Sequence, residues 1–201
     1  MSSYHPFKHF ITITKHRHQV IRNGFHMGIF WHALGHDLSK YSHEEFHNSA
    51  KYYVGSSSPV FEQRKHENMA STVCLHHCGR NKHHWEYWAD FFRGHILAKT
   101  MPYKYSVEYV CDVIAASMVY SGKKFKPNMP LDYFNERKGH YYMTEATKEF
   151  VTWCFEQFKE SGWKNLKKKD TKKVYLELTS KYPDVEIIDE LHCEQDLIPL
   201  V

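Results

Sequence analysis

The chain has no apolar run of about 18 residues, the length that a membrane-crossing helix needs. Its opening MSSYHPFKHF contains no apolar core of signal-peptide length. Membrane and secreted classes are therefore not expected, and the cytoplasm is the expected compartment. The five cysteines (Cys74, Cys78, Cys111, Cys154 and Cys193) form an odd set without a paired framework, so reduced thiols are the simplest reading. Cys74 and Cys78 are four apart, a spacing that suits a zinc site on one helix face, yet no second cysteine pair completes it. Charge of one sign is also scarce. The formal net charge is +4, which favours anionic ligands without defining a nucleic-acid binder. A Gly-rich phosphate loop and a G-x-S-x-G elbow are both missing, which leaves P-loop and serine-hydrolase chemistry without support. No repeat of solenoid period occurs, and no long stretch alternates as a strand would.

What the chain has in excess is histidine: 17 in 201 residues, most of them before residue 96. They fall in short groups: His16 and His18, His36 beside Asp37, His76 and His77, His83 and His84. Asp112 follows as a single acid in the apolar stretch YVCDVIAAS. Imidazole nitrogen and carboxylate oxygen are the ligands that zinc, iron, manganese and related divalent ions take from proteins. Hydrophobic residues make up 42%, aromatics 16% and charged residues 25%, a globular composition in a chain long enough for a core of its own.

The periodicity is helical throughout, so the expected fold is all-α. Residues 11–22 read as a helix stopped by Asn23-Gly24, and 25–38 as a strongly apolar helical segment ending in His36-Asp37. Ser42 and Glu45 form a capping-box pattern opening a helix through Tyr53. Residues 60–77 read as one helix ended by Gly79, and 83–92 as a short helix or ordered turn. Another apolar helix spans 107–120, a proline-rich loop runs to about Pro130, and Thr144 opens an amphipathic helix with a wide apolar stripe. Residues 185–188 fit a short strand or a tail. The lysine-rich run 164–173 reads as a solvated helix end or loop; a nucleic-acid patch ranks last, since no aromatics interleave it. Residues 1–162 are the expected metal-binding domain, with 163–201 a lysine-rich appendage packed on it.

An acid at the end of a segment as apolar as GIFWHALGHDL needs a partner, because a free buried carboxylate is costly. A cation is one such partner; the plain alternative is Asp37 capping the next turn and His36 packing. In HCGRNKHHWEYW, two imidazole groups sit six or seven residues apart across a glycine turn, and Asn81 is placed to orient one of them.

The order His16, His36-Asp37, His77, His83 or His84, Asp112 resembles the HD-domain metal-dependent phosphohydrolase superfamily. HDLSKYSHEEF, the HHWEYW motif and CDVIAAS look more narrowly like a family of uncharacterised bacterial and phage proteins. The resemblance implies an HD-like helical bundle holding one or two divalent ions (Mn, Fe, Zn or Mg), with Asp37 bridging and orienting the nucleophile. His16 is preferred to His18 as first ligand, and His66 is a candidate extra ligand. Lys40 resembles the lysine often found shortly after the His-Asp pair in that superfamily and is the catalytic and phosphate-binding candidate, with Arg80 and Asn81 as further substrate candidates. Plain surface roles are the alternative for Lys40 and Arg80, and Glu44, Glu45 or Glu86 is either a proton shuttle or, as the plainer reading, a surface or capping residue. The expected activity is hydrolysis of a nucleotide or another small phosphorylated molecule, including a cyclic or oligonucleotide signal. Alternatives are a di-iron oxygenase of the same superfamily and a non-catalytic nucleotide-sequestering protein with a structural metal. A homo-oligomer is compatible with the composition.

Overall fold

The computed structural model describes residues 4–190. Pro6 opens helix α1 (Pro6–His26) at the first turn, where its missing N–H has no partner to lose. Ile13, His16, Val20, Asn23 and Gly24 recur at helical spacing on the buried side. The helix does not stop at Asn23-Gly24. Gly24 is instead the point of closest approach to helix α2 (Phe30–Ala33): a Cβ there would lie 2.6 Å from the Ala33 Cβ. The Asn23 amide donates to the Cys111 carbonyl at 2.9 Å. The stop falls at Gly28, whose φ of +72° suits glycine. The expected continuous helix over 25–38 is thus broken into the short α2 and a series of turns ending in Asp37.

A 3-10 turn (Leu38–Tyr41) leads to α3 (His43–Lys51), whose first turn is capped by Ser42 accepting from the Glu45 N–H at 3.4 Å. The single helix expected over 60–77 is two, α4 (Pro59–His66) and α5 (Thr72–Arg80). Asn68 and Met69 break it with φ of 47° and 67°, and Ser71 caps α5 by accepting from the Cys74 N–H. Gly79 lies inside α5 rather than after it. Only residues 85–88 of the 83–92 segment are helical, as a second 3-10 turn (Trp85–Trp88).

That turn runs straight into a small antiparallel sheet, β1 (Ala89–Phe92), β2 (His95–Lys99) and β3 (Val185–Glu190), in the order β1-β2-β3 with an irregularity between Ile96 and Leu97. The sheet is the main departure from the all-helical expectation; helix still dominates. Helix α6 (Tyr103–Ser121) is buried nearly all round, as a helix at the centre of a bundle must be. It packs on α1 and on α7 (Met129–Arg137), a helix that starts where the expected proline-rich loop ends, its Pro130 lying in the first turn. Thr144 caps α8 (Glu145–Ser161), whose Phe150, Val151, Cys154, Phe155 and Phe158 join Val107, Val110 and Ile114 of α6 in the apolar core. The lysine-rich run begins α9 (Lys168–Lys181), which lies on α8 and is tied back by the Tyr175 hydroxyl donating to the Met101 carbonyl. Cys193 lies outside the described residues. Among those residues, no helix is long and apolar enough to cross a membrane.

Candidate metal centre

Five stretches of chain deliver their polar side chains to one buried place. His16 comes from the buried stripe of α1. His36 and Asp37 come from the turns after α2, His77 from α5, His83 and His84 from the segment after it, and Asp112 from α6. Asp37 is the junction. With φ 52° and ψ 28° it holds a left-handed backbone, which Asp tolerates better than most residues. It occupies the cap position of the 3-10 turn, yet its side chain makes no capping bond and turns inward.

Two donor groups share that carboxylate. The first is His16, His36, Asp37 and Asp112; the second is Asp37, His77, His83 and His84. In the first, His16 Nε2 lies 2.9 Å from Asp112 Oδ1, 3.4 Å from His36 Nε2 and 3.8 Å from Asp37 Oδ2. His36 Nε2 lies 3.1 Å from Asp37 Oδ2 and 3.6 Å from Asp112 Oδ1. In the second, Asp37 Oδ1 faces His77 Nε2 at 3.2 Å and His83 Nε2 at 3.5 Å.

A second layer of carboxylates aims these rings. Glu108, one turn before Asp112 on α6, accepts from His36 Nδ1 at 2.9 Å and His32 Nε2 at 2.7 Å, and lies 3.5 Å from His83 Nδ1. Glu45 is fully buried and accepts from His77 Nδ1 at 2.8 Å and His76 Nδ1 at 2.6 Å. Nδ1 bound to a carboxylate fixes the tautomer and points Nε2 at the centre, the arrangement that metal-binding histidines use. Asn81 donates to Ser39 Oγ and to the His77 carbonyl, both at 2.8 Å, pinning the end of α5.

The electrostatics follow the geometry. Burial opposes the charge on Asp37, but His36, Lys40 and His77 hold its carboxyl well below the usual range. Asp112 is likewise held down against burial by His16 and His36. Burial opposes a charge on His77, yet Asp37 and Glu45 raise its pKa to about 9. His83 is also faced by Asp37, Asp112 and Glu108, but burial and the neighbouring His36 outweigh them and lower it to about 4.

The donors fit a divalent ion. Both Asp37 oxygens and Nε2 of His77, His83 and His84 are buried without a hydrogen bond of acceptable geometry. Ligands about 2.1 Å from an ion stand about 3.0–3.4 Å from their neighbours in octahedral or tetrahedral arrangements. The separations of 2.9–3.8 Å in the first group bracket that span. Buried clusters of this kind can hold a metal, and mixed imidazole and carboxylate donors admit several.

Lys40 Nζ forms an ion pair with Asp37 Oδ2 at 2.5 Å and keeps a partly exposed side chain. His18 is exposed on the other side of α1, whereas His16 faces the acids. His66 is not among the donors: it is exposed and stacks on Tyr52, because the break before α5 carries α4 away from the centre. Arg80 is exposed and does not reach Asp37; it lines a cleft of about 320 Å³ with His32, Lys82, His83, Tyr105 and Glu108. A larger groove of about 480 Å³ beside α8 holds no donor cluster among the described residues. Glu44 is exposed and pairs with His76, and Glu86 lies 3.8 Å from His84 Nδ1. Glu108 is the functional residue that pattern reading misses; its signal is the four-residue spacing to Asp112. Glu45 is hidden by the capping pattern it also satisfies.

Residues 5–157, most of the chain, match a family described as being of unknown function, DUF5662, and the chain belongs to it. No curated protein and no solved structure matches.

Proposed function

We propose that this DUF5662 member is a metal-dependent phosphohydrolase acting on a nucleotide or another small phosphorylated molecule. The observation that carries the reading is a single carboxylate, Asp37, held between two sets of metal-capable donors, with Lys40 on one of its oxygens. The order of those donors resembles the HD-domain superfamily, which supports the same chemistry. His16, His36, Asp37 and Asp112 would hold one ion, and Asp37, His77, His83 and His84 a second. Divalent ions held there lower the pKa of water and neutralise charge on phosphoester oxygens.

The chain's own residues do the rest. Glu108 and Glu45 keep Nε2 of His36 and His77 turned inward, so the donor set is built before any ligand arrives. Lys40 stays cationic, since Asp37 and Asp112 outweigh burial and raise its pKa further. Its point charge sits where an anionic substrate would meet the centre. Arg80 and Lys82 add positive charge to the adjoining cleft, with Tyr105 as an aromatic wall. An oxygenase is the second reading, favoured by the five imidazoles among seven donors, a nitrogen-rich set that suits iron.

Elemental analysis of the purified protein, followed by phosphatase and phosphodiesterase panels with added manganese or iron, tests the proposal. Asp37→Ala is expected to abolish metal-dependent turnover with helical content retained. Wild-type turnover in that variant overturns it, and oxygen consumption without phosphate release selects the second reading.

A further inference from the structure

Cys111 and Cys154 are packed in the apolar core, as free cysteines usually are. Cys74 and Cys78 have a different setting. They lie one turn apart on α5 with sulfurs 3.5 Å apart, next to the turn that carries Glu86. A Glu86 carboxylate oxygen lies within 4.8 Å of both sulfurs. Its Oε2 is buried without a hydrogen-bond partner. Thiolates bound to zinc at about 2.3 Å in a tetrahedral site stand about 3.8 Å apart, so little movement separates the present pair from a chelating one.

We propose that Cys74, Cys78 and Glu86 hold a thiophilic divalent cation of the zinc class, separate from the His/Asp centre, with water at the fourth position. Glu86 supplies what the sequence withholds, a third ligand in place of a second cysteine pair. Charge balance favours it. Two thiolates and a carboxylate exceed a divalent cation by one negative charge, and the Arg64 guanidinium, 3.3 Å from the Cys74 sulfur, offsets it. Such an ion would fasten α5 to the Trp85–Trp88 turn across the segment that presents His83 and His84, making Glu86 a positioning residue for the neighbouring centre.

Cobalt titration of chelator-stripped full-length protein tests this independently of the His/Asp centre, whose donors include no sulfur. A thiolate-to-cobalt charge-transfer band in the near ultraviolet is expected, its final intensity that of one thiolate-bound cobalt per chain, and it is displaced by zinc. It is expected to vanish in Cys74→Ser/Cys78→Ser and to need more cobalt in Glu86→Gln. Alkylation read peptide by peptide is expected to spare Cys74 and Cys78 when zinc is present. The proposal is overturned if cobalt binds without that band, or if zinc leaves the alkylation rates of both cysteines unchanged. If the double variant fails to fold, the wild-type band and Glu86→Gln still decide. A band in protein that shows no cobalt bound at imidazole would sink the dinuclear reading and leave this one standing.

Discussion

Helix α6 separates two interiors made on opposite principles. Val107, Val110 and Ile114 enter an apolar core with Phe150 and Phe155 of α8, while Glu108 and Asp112 enter a cluster of imidazoles. The apolar side holds itself together: each large side chain withdrawn from water contributes about 1.5–3 kcal/mol. The polar side does not. Burying an ion costs several kcal/mol before its partners repay it, and three carboxylates, Asp37, Glu45 and Glu108, are nearly or fully buried there. The lesson is a division of labour. One half of the bundle supplies stability, and the other gives some of it up to keep together a buried donor cluster that can hold a metal ion.

The contrast can be broken at either end. The largest effect is expected from Asp37→Ala, which should remove metal-dependent hydrolysis entirely while far-ultraviolet dichroism stays near wild type. Phe155→Ala should do the reverse: denaturant titration should show a loss of about 3–5 kcal/mol, with metal per folded chain unchanged. Chelation should lower the thermal midpoint of the wild type. Metal at 100 times its dissociation constant contributes about 2.7 kcal/mol, and Asp37→Ala should show almost none of that response. Glu45→Gln should weaken metal affinity by roughly 10–100-fold through loss of ring orientation, measured by competition with a chromophoric chelator.

The smallest signal is a proton count. His77, with its pKa near 9 in the metal-free protein, is protonated at pH 7 and must be neutral to bind. His36, which Asp37, Asp112 and Glu108 hold well above the usual imidazole range against burial, must lose its proton too, so metal loading should release protons from both rings, detectable by calorimetry in buffers of different ionisation enthalpy. His77→Asn should release fewer. The sign also predicts that acidification expels the metal.

Much of the centre is written in residue type. His16, His36, Asp37, His77, His83, His84 and Asp112 stand out in the sequence because imidazoles and a buried acid have few cheap uses together. Glu108 escapes because a glutamate in YSVEYVCDV looks like a surface residue until three imidazoles are found around it. Glu45 is legible only as a helix cap or a proton shuttle; that its carboxylate holds His76 and His77 is not, because its N–H already satisfies the capping pattern. Helices with strong caps, such as the one after Thr144, are legible; the break between α4 and α5 is not. It rests on positive φ at Asn68 and Met69, without a glycine or proline to announce it. The sheet is likewise hidden, since β1 is only four residues long and β3 pairs with a strand almost ninety positions upstream.

Gly24 shows how distant the controls on such a centre can be. It touches no donor, but the room it leaves lets α2 sit where Ala33 is only three and four residues from His36 and Asp37. One added methyl there would act as a shim under a lever, displacing both side chains together. Position 24 therefore sets a mechanical tolerance: in this bundle, drift at an uncharged helix crossing is read out as misalignment of the donor cluster.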